Sequence, residues 1–204
     1  MRVEWASNGT ILLSQEAYID VVLQRFQMGN YTPSAVPFQQ GTVSDVNTAS
    51  HTFGKPSATN TDQVTRYAEL CGCLMWLYIA TRPDLGFTAT YNARFTAKPT
   101  VAHWRRLRGT LRYLQGTRGR GLRYTPRGTP LTDFGNSSYT DDITQRRSSQ
   151  GYLFLLAFAL IAWYASLQTL VTLSTFEAAY VALMHATREI VHLIQLLRNL
   201  NHEP

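Results

Sequence analysis

Residues 146–183, RRSSQGYLFLLAFALIAWYASLQTLVTLSTFEAAYVAL, carry the pattern that decides the fold. Gly151–Leu156 and Leu160–Ala165 are apolar runs of strand length separated by a short turn, which predicts a β-hairpin. Phe134–Thr140 is expected to supply another strand before this hairpin, and Thr169–Leu173 is expected to be extended after it. The segment therefore predicts antiparallel β-structure.

A long helix is predicted directly after these strands. Ser174 followed by Glu177 is typical of a helix N-cap with a carboxylate in the first turn, and the helix should run to about Leu200. Its spacing predicts a buried face made of Tyr180, Leu183, Ile190, Leu193, Ile194 and Leu197. Three antiparallel strands followed by one long helix indicate the opening half of an α+β sheet domain.

The first thirty residues predict a hairpin and a helix. Asn8-Gly9 lies between the apolar runs Val3–Trp5 and Ile11–Leu13, which is typical of a two-residue hairpin turn. Ser14 is expected to cap the helix that follows. The predicted apolar face of that helix consists of Tyr18, Val21, Val22 and Phe26.

The middle of the chain is predicted to be a loop followed by helices. Residues 30–65 are rich in Pro, Ser, Thr, Gly and Asn without periodicity, which indicates a linker or a long surface loop. A helix is predicted from about Gln63 to Ala80, a short one after Pro83, and a third capped by Thr100 and ended by Gly116. Their apolar stripes are Leu70, Leu74, Leu77 and Tyr78 in the first of these and Trp104, Leu107, Leu111 and Leu114 in the last.

A strongly basic window covers the last of these helices. No acidic residue lies between Asp84 and Asp133, and the same stretch contains nine arginines and one lysine, although the whole chain is only +6. Such a segregated field attracts polyanions, and the guanidinium fork suits phosphate contact better than an ammonium group. We expect nucleic acid to contact Arg105, Arg108, Arg112, Arg118, Arg120 and Arg123. The alternative is a solvated helix face that only keeps the protein soluble.

Other features restrict the class of protein. Cys71 and Cys73 have no second Cys or His pair at ligand spacing, so we expect reduced thiols in an intracellular protein and no zinc site. The N-terminus lacks the apolar core of a signal peptide, which predicts a cytoplasmic or nuclear location and no secretion. The apolar run Tyr152–Ala165 is too short to cross a bilayer, so no membrane partner is expected.

Six blocks, in order, resemble one known family. They are LSQEAYI (13–19), LMWL (74–77), TRPD (81–84), RYLQGT (112–117), RRSSQGYLFLL (146–156) and EAAYVAL (177–183). Together they are similar to the Pol polyprotein of copia-type LTR retrotransposons, from the end of the reverse transcriptase into the ribonuclease H domain. The resemblance implies four segments: the end of the reverse transcriptase (1–29), a linker (30–65), a helical connection region with the basic helix (66–130), and a truncated ribonuclease H-like domain (131–204). The polymerase's Tyr-Val-Asp-Asp-type motif is absent from this sequence.

The resemblance also implies where metal-binding carboxylates should stand. Counting back from the Arg-Arg-Ser block, Asn136 occupies the position of the family's first aspartate, and Ala179 occupies that of its second ligand, a glutamate. The other two acidic positions of the family would fall beyond residue 204. Nearby carboxylates survive at Asp141, Asp142 and Glu177. An amide and a methyl group bring no negative charge, so divalent affinity should fall steeply.

The sequence thus predicts a catalytically inactive fragment that binds RNA–DNA hybrid or other nucleic acid and needs no cofactor. The remainder of the polyprotein is a second partner to consider. Two alternatives stay open. One is a divergent, Mg²⁺-dependent ribonuclease H that uses Asp141, Asp142 and Glu177. The other is a protein-interaction module that pairs through an exposed sheet edge.

Overall fold

The computed structural model describes residues 1–38, 58–126, 130–142 and 145–201. Over these residues the architecture is α+β, with five α-helices and two three-stranded sheets. The chain forms two compact units, one of Met1–Val3 and Leu13–Gly121, the other of Glu4–Leu12 and Leu122–Pro204. The division of the chain after residue 121 precedes the domain start that the sequence suggested at residue 131. The N-terminal segment 1–29 contributes residues to both units.

The N-terminal hairpin joins β1 (Arg2–Trp5) to β2 (Ile11–Ser14) through a wider turn than the sequence suggested. The amide of Gly9 donates to the carbonyl of Ala6 at 3.0 Å, and the amide of Ala6 donates to the carbonyl of Thr10 at 2.9 Å. Gly9 has φ +80°, so the turn closes with a glycine in the left-handed region, as in three-residue hairpin loops. The prediction of a two-residue turn was therefore wrong. Strand β3 (Leu122–Tyr124) completes the sheet in the order β1-β2-β3.

Helix α1 (Glu16–Arg25) begins later than predicted, and its buried face agrees with the predicted one at Val22 but not at Val21. Ser14 ends β2 and does not cap the helix; Gln15 stands at the N-cap position without a side-chain cap. The Gln15 carboxamide instead accepts a hydrogen bond from the Thr81 hydroxyl at 2.7 Å. The buried residues are Ile19, Val22 and Leu23, whereas Val21 is exposed.

Helix α2 (Ala58–Ala80) starts inside the segment predicted to be a linker, whose residues 39–57 lie outside the described part. Its predicted stripe is confirmed, since Leu70, Leu74, Leu77 and Tyr78 are buried. A 3-10 turn (Pro83–Leu85) follows, and then α3 (Gly86–Ala93).

Helix α4 (Val101–Gly116) carries the basic window and has the predicted cap. The hydroxyl of Thr100 accepts from the amide of His103, whose imidazole in turn accepts from the Thr100 amide at 2.9 Å. Leu107, Leu111 and Leu114 form its buried stripe. The chain then passes so close to β2 that a Cβ at Gly121 would lie 2.1 Å from the Leu13 carbonyl oxygen.

The second unit contains an antiparallel sheet in the order β4-β5-β6, as the sequence predicted. Its strands are β4 (Thr132–Asp142), β5 (Arg147–Leu156) and β6 (Ala159–Leu167). The tight turn between β5 and β6 gives Ala157 and Phe158 positive φ values of 52° and 63°. Thr169–Leu173, predicted to be extended, contains no strand.

Helix α5 (Thr175–Asn199) covers this sheet with a different face from the one expected. Ala178, Ala182 and Ala186 are buried, whereas Tyr180 and Leu183 are more than half exposed. Leu193 and Leu197 are buried as predicted. A Cβ at Gly135 of β4 would lie 3.6 Å from the Cβ of Ala186, so small side chains on both elements permit a close approach. The periodicity therefore predicted the helix correctly but assigned the wrong face of its first half to the core.

Candidate nucleic-acid interface and metal positions

A buried arginine joins three of the six sequence blocks in the first unit. Arg82 is 1% exposed and donates from Nε and Nη2 to the two carboxylate oxygens of Asp84, at 2.9 and 2.7 Å. It also donates to the carbonyl and hydroxyl oxygens of Thr117, at 3.1 and 2.8 Å. Tyr113 donates to Asp84 at 2.8 Å, and Gln15 binds the adjacent Thr81. These blocks therefore converge because their polar residues satisfy one another.

We call Arg82, Asp84, Tyr113 and Thr117 the Arg82 clamp, and its interactions shift the pKa of Asp84. Burial alone would raise the pKa of this carboxyl group, but the hydrogen bonds and the charge of Arg82 hold it below its usual value. The hydroxyl of Tyr113 acts in the same direction. The motif is thus a structural ion pair in the turn after α2, and its hydrogen bonds with Tyr113 and Thr117 link it to the end of α4.

The structure places the predicted arginines in different environments. Arg105 and Arg108 are exposed on α4 and make no hydrogen bond or ion pair with other described residues. Arg112 donates to the carbonyl of Thr32 at 2.6 Å. Arg118 forms an exposed ion pair with Asp20 at 3.0 Å, and Arg120 donates to the hydroxyl of Tyr113 at 3.2 Å. Arg123 lies in β3 and belongs to the second unit.

Not every cation of the window faces solvent. Arg106 is 5% exposed, and its guanidinium carbon lies 4.6 Å from the ring centroid of Tyr91 and 4.9 Å from that of Phe38. Burial lowers the pKa of Arg106. Arg94 also stacks on Tyr91, at 5.0 Å. Cation–π packing thus places two of the window's charges in the fold of the first unit.

A cavity of about 430 Å³ lies beside the exposed arginines of α4, and we call it the Trp104 cavity. Its lining includes Phe26, Gln63, Arg66, Trp104, Arg105 and Arg108. None of the lining residues in the described part of the chain is acidic. Sequence reasoning missed Arg66 because it precedes the basic window; only the packing of α2 beside α4 brings it to Arg105.

The positions expected to bind metal do not form a metal site. Asn136 is exposed on β4, and its side-chain oxygen accepts from the amide of Ser137 at 2.8 Å. Ala179 is an exposed methyl group on α5. Glu177 accepts from the amide of Leu173 at 2.7 Å, while its own amide donates to Ser174, so this carboxylate caps the helix as predicted.

The remaining carboxylates are also used locally. Asp141 accepts from the amide and the hydroxyl of Ser149, at 2.7 and 2.5 Å. Asp142 is the buried last residue of β4. Within the described ranges, no three Asp, Glu, His or Cys side chains group in a way that could hold a metal ion. The residues present do not fit a pair of Mg²⁺ ions.

The histidines and cysteines have structural environments. His103 is buried and stacks on Phe95 with centroids 4.0 Å apart, and burial lowers its pKa to about 4. His185 is half-buried and His192 is exposed on α5. Cys71 and Cys73 are free and buried, and burial raises the pKa of Cys71 to about 12. A neutral thiol of this kind is a poor nucleophile.

Across the described helices, none combines the length and the hydropathy that a membrane span requires.

Comparison with known proteins identifies the origin of the chain. It is 34% identical over 188 residues, or 92% of its length, to the retrovirus-related Pol polyprotein from transposon TNT 1-94 of Nicotiana tabacum. It is 28% identical over 190 residues to the corresponding polyprotein from transposon RE2 of Arabidopsis thaliana. The aligned segment spans 14% and 12% of these relatives. No family model matches the chain, and no solved structure does.

A shorter relative covers the chain in part. The secreted RxLR effector protein 161 of Plasmopara viticola is 38% identical over 128 residues, which are 62% of this chain and 90% of that protein. Because that relative is named as secreted, the intracellular location predicted from the sequence stays a prediction.

These similarities define the class of protein as one of transposon polyprotein origin. The chain belongs to the family of retrovirus-related Pol polyproteins from copia-type transposons.

Proposed function

We propose that this chain corresponds to the end of the reverse transcriptase and the start of the ribonuclease H region, and that it binds RNA–DNA hybrid without cleaving it. The exposed arginine face of α4 carries the proposal. Arg105 and Arg108 are one helical turn apart, free of ion pairs among the described residues, and far in sequence from any carboxylate. Such a face suits two successive phosphates of one strand.

The arginines after α4 extend this face at little cost. The Arg118–Asp20 pair is about half exposed on both sides, so opening it should cost less than about 1 kcal/mol. Among the described residues, Arg120 makes a hydrogen bond through Nη1 alone, so its other N–H donors beside Tyr113 are available to a phosphate. Contacts of this kind position a nucleic acid but do not read its sequence.

The second unit supports the absence of cleavage. Hydrolysis by two metal ions needs several carboxylates that converge on the metals. Asn136 and Ala179 stand where the family resemblance implies two metal ligands, and Glu177 is engaged at the start of α5. A carboxamide supplies one neutral oxygen and cannot replace the missing charge.

Binding is tested with the full chain and a labelled RNA–DNA hybrid in a filter assay across a salt series. We expect affinity to fall steeply with salt, with a log–log slope of about −0.9 per phosphate contacted. The double variant Arg105→Gln/Arg108→Gln should lower the magnitude of the slope by roughly two, because two phosphate contacts are lost.

The matched control is Arg188→Gln/Arg198→Gln, which removes the same charge from exposed positions on α5. It should leave the slope almost unchanged. Absence of binding at low salt, or equal losses in both double variants, would contradict the proposed interface.

Cleavage is tested with the same hybrid in Mg²⁺, where we expect the hybrid to remain intact. Mg²⁺-dependent cleavage that disappears in Glu177→Gln would instead establish the divergent ribonuclease H.

A further inference from the structure

The Trp104 cavity combines two kinds of chemistry that seldom occur together on a surface. Arg66, Arg105 and Arg108 are exposed cations, and none of the cavity's lining residues in the described ranges is acidic. Trp104 and Phe26 add aromatic surface and are only half-buried. A ligand that matches this lining must be anionic at one end and flat and apolar at the other.

The aromatic wall is held in place by buried neighbours. The indole of Trp104 packs edge-on against the ring of Tyr67, with centroids 5.6 Å apart and planes at 79°. Tyr67 is fully buried and donates its hydroxyl to the carbonyl of Asn92 at 3.0 Å. The indole is therefore fixed before any ligand arrives, which reduces the conformational entropy lost on binding.

Two polar atoms of the cavity residues lack partners. The indole N–H of Trp104 and the side-chain oxygen of Gln63 are buried and have no hydrogen bond with other described residues. A buried donor and a buried acceptor without partners both cost free energy. Because both atoms are shielded from solvent, a ligand is expected to contact the aromatic surface and the three guanidinium groups and not these two atoms.

From this arrangement we infer that the Trp104 cavity binds a nucleotide, with its base against Trp104 and its phosphate on Arg66, Arg105 and Arg108. A volume of about 430 Å³ lies in the range of small-molecule sites. Stacking of a base on an aromatic side chain is a general mode of single-strand recognition.

If the nucleotide in the cavity is part of a bound nucleic acid, the inference rests on the proposed function. A paired base is stacked inside its duplex and cannot reach an indole, so the cavity requires an unpaired residue. The expected substrate is then a hybrid with a single-stranded overhang beside the arginine face of α4. A free nucleotide offers the same chemistry, and the experiment separates the two sources.

Binding is measured by fluorescence anisotropy with two labelled hybrids, one blunt and one with a four-nucleotide overhang. We expect the overhang to raise affinity about 5- to 150-fold, the range given by stacking of one base. Trp104→Leu should abolish this gain and leave the affinity for the blunt hybrid within about twofold. Trp76→Leu, which changes an exposed tryptophan of α2 outside the cavity, should keep the gain.

Arg66→Gln provides a second test that does not depend on the packing of Trp104. Arg66 is exposed and lines the cavity but lies outside the basic window, whereas Arg105 and Arg108 also belong to the proposed hybrid-binding face. If Arg66→Gln loses the preference for the overhang but keeps its affinity for the blunt hybrid, the nucleotide site is supported. This result holds even if circular dichroism shows that Trp104→Leu does not fold.

The outcomes separate this inference from the proposed function. Equal affinity for blunt and overhanging hybrids overturns the nucleotide site and leaves hybrid binding intact. If neither hybrid binds, titration with a nucleoside monophosphate decides. Binding of the monophosphate that is lost in Trp104→Leu and in Arg66→Gln sustains the cavity without the proposed function, and absence of binding overturns both.

Discussion

Replacing Arg82 by methionine should destabilise the first unit strongly, because it leaves Asp84 without its partner. Arg82 is almost completely buried and makes four hydrogen bonds, two of them to the Asp84 carboxylate. Breaking a buried pair by removing one partner costs about 3–5 kcal/mol. Because the Asp84 side chain is 34% exposed, we expect the lower end, about 3 kcal/mol.

The substitution Asp84→Asn should cost at least as much as Arg82→Met, about 3–5 kcal/mol, because it leaves the Arg82 guanidinium, whose side chain is 1% exposed, without its carboxylate partner. The double variant Arg82→Met/Asp84→Asn should be more stable than the sum of the two losses predicts, by about 2 kcal/mol. That difference is the coupling free energy between the two side chains.

Urea denaturation at pH 7 measures these free energies of unfolding. Two compact units allow two transitions, and only that of the first unit should shift. The control is Arg25→Met, which breaks an ion pair of similar length, 2.6 Å to Glu69, but about half exposed, and should cost less than about 1 kcal/mol. Losses in Arg82→Met and Asp84→Asn that add within about 0.5 kcal/mol would refute the clamp.

The pH dependence of the free energy of unfolding provides a second test of the Arg82–Asp84 pair. The pKa of Asp84 is lower in the folded protein than in the unfolded chain, so the pair stabilises the fold above the unfolded pKa. This stabilisation is lost as the pH falls through the folded pKa. Arg82→Met should lack that part of the acid dependence.

Two further predictions concern the buried imidazole and the tight turn. His103 has a pKa of about 4 when folded against 6.5 ordinarily, so the unfolded chain takes up a proton first, and stability should fall between pH 6.5 and 4. His103→Gln should reduce that fall in urea denaturation, and an unchanged pH profile would contradict it. Ala157 has φ +52°, in the left-handed region that glycine adopts without strain. Ala157→Gly should therefore raise the free energy of unfolding by about 1 kcal/mol, and with it the thermal midpoint. Ala165→Gly, a mid-strand control in β6, should lower stability by roughly 0.5–1 kcal/mol, and shifts of the same sign would contradict the turn argument.

Elements that follow local rules were predictable from the sequence. Thr100 caps α4 and Ser174 caps α5, because short-range hydrogen bonds to the backbone decide both. The strands β5 and β6 were identified by apolar runs of strand length, and β4 was predicted as a further strand before them. The stripe of α2 followed from helical spacing alone.

Features that depend on tertiary packing were not predictable in this way. On α5 the sequence favours large residues such as Tyr180 for the core, yet close approach to Gly135 selects Ala178 and Ala186. The role of Gln15 as a partner of Thr81 depends on a contact between residues distant in sequence.

The residues of the candidate nucleic-acid interface were likewise predictable only in part. Arg105 and Arg108 were identified because the basic window is a contiguous stretch of the amino-acid sequence. Arg66 was missed, and Arg106, which the sequence counted in the basic window without assigning it a contact, is buried against Tyr91. Charge patterns predict where a field lies but not which side chains face solvent.

The Arg82 clamp also bears on how sequences of this kind are classified. Thr81–Asp84 and Arg112–Thr117 are held together by mutual hydrogen bonds, and their roles need no substrate and no metal. Selection for folding alone would retain them in a copy whose catalytic residues have changed. In a genome survey, these two blocks would therefore mark copies that still encode a foldable unit. Assigning enzymatic activity to such copies would require the carboxylate positions to be inspected separately.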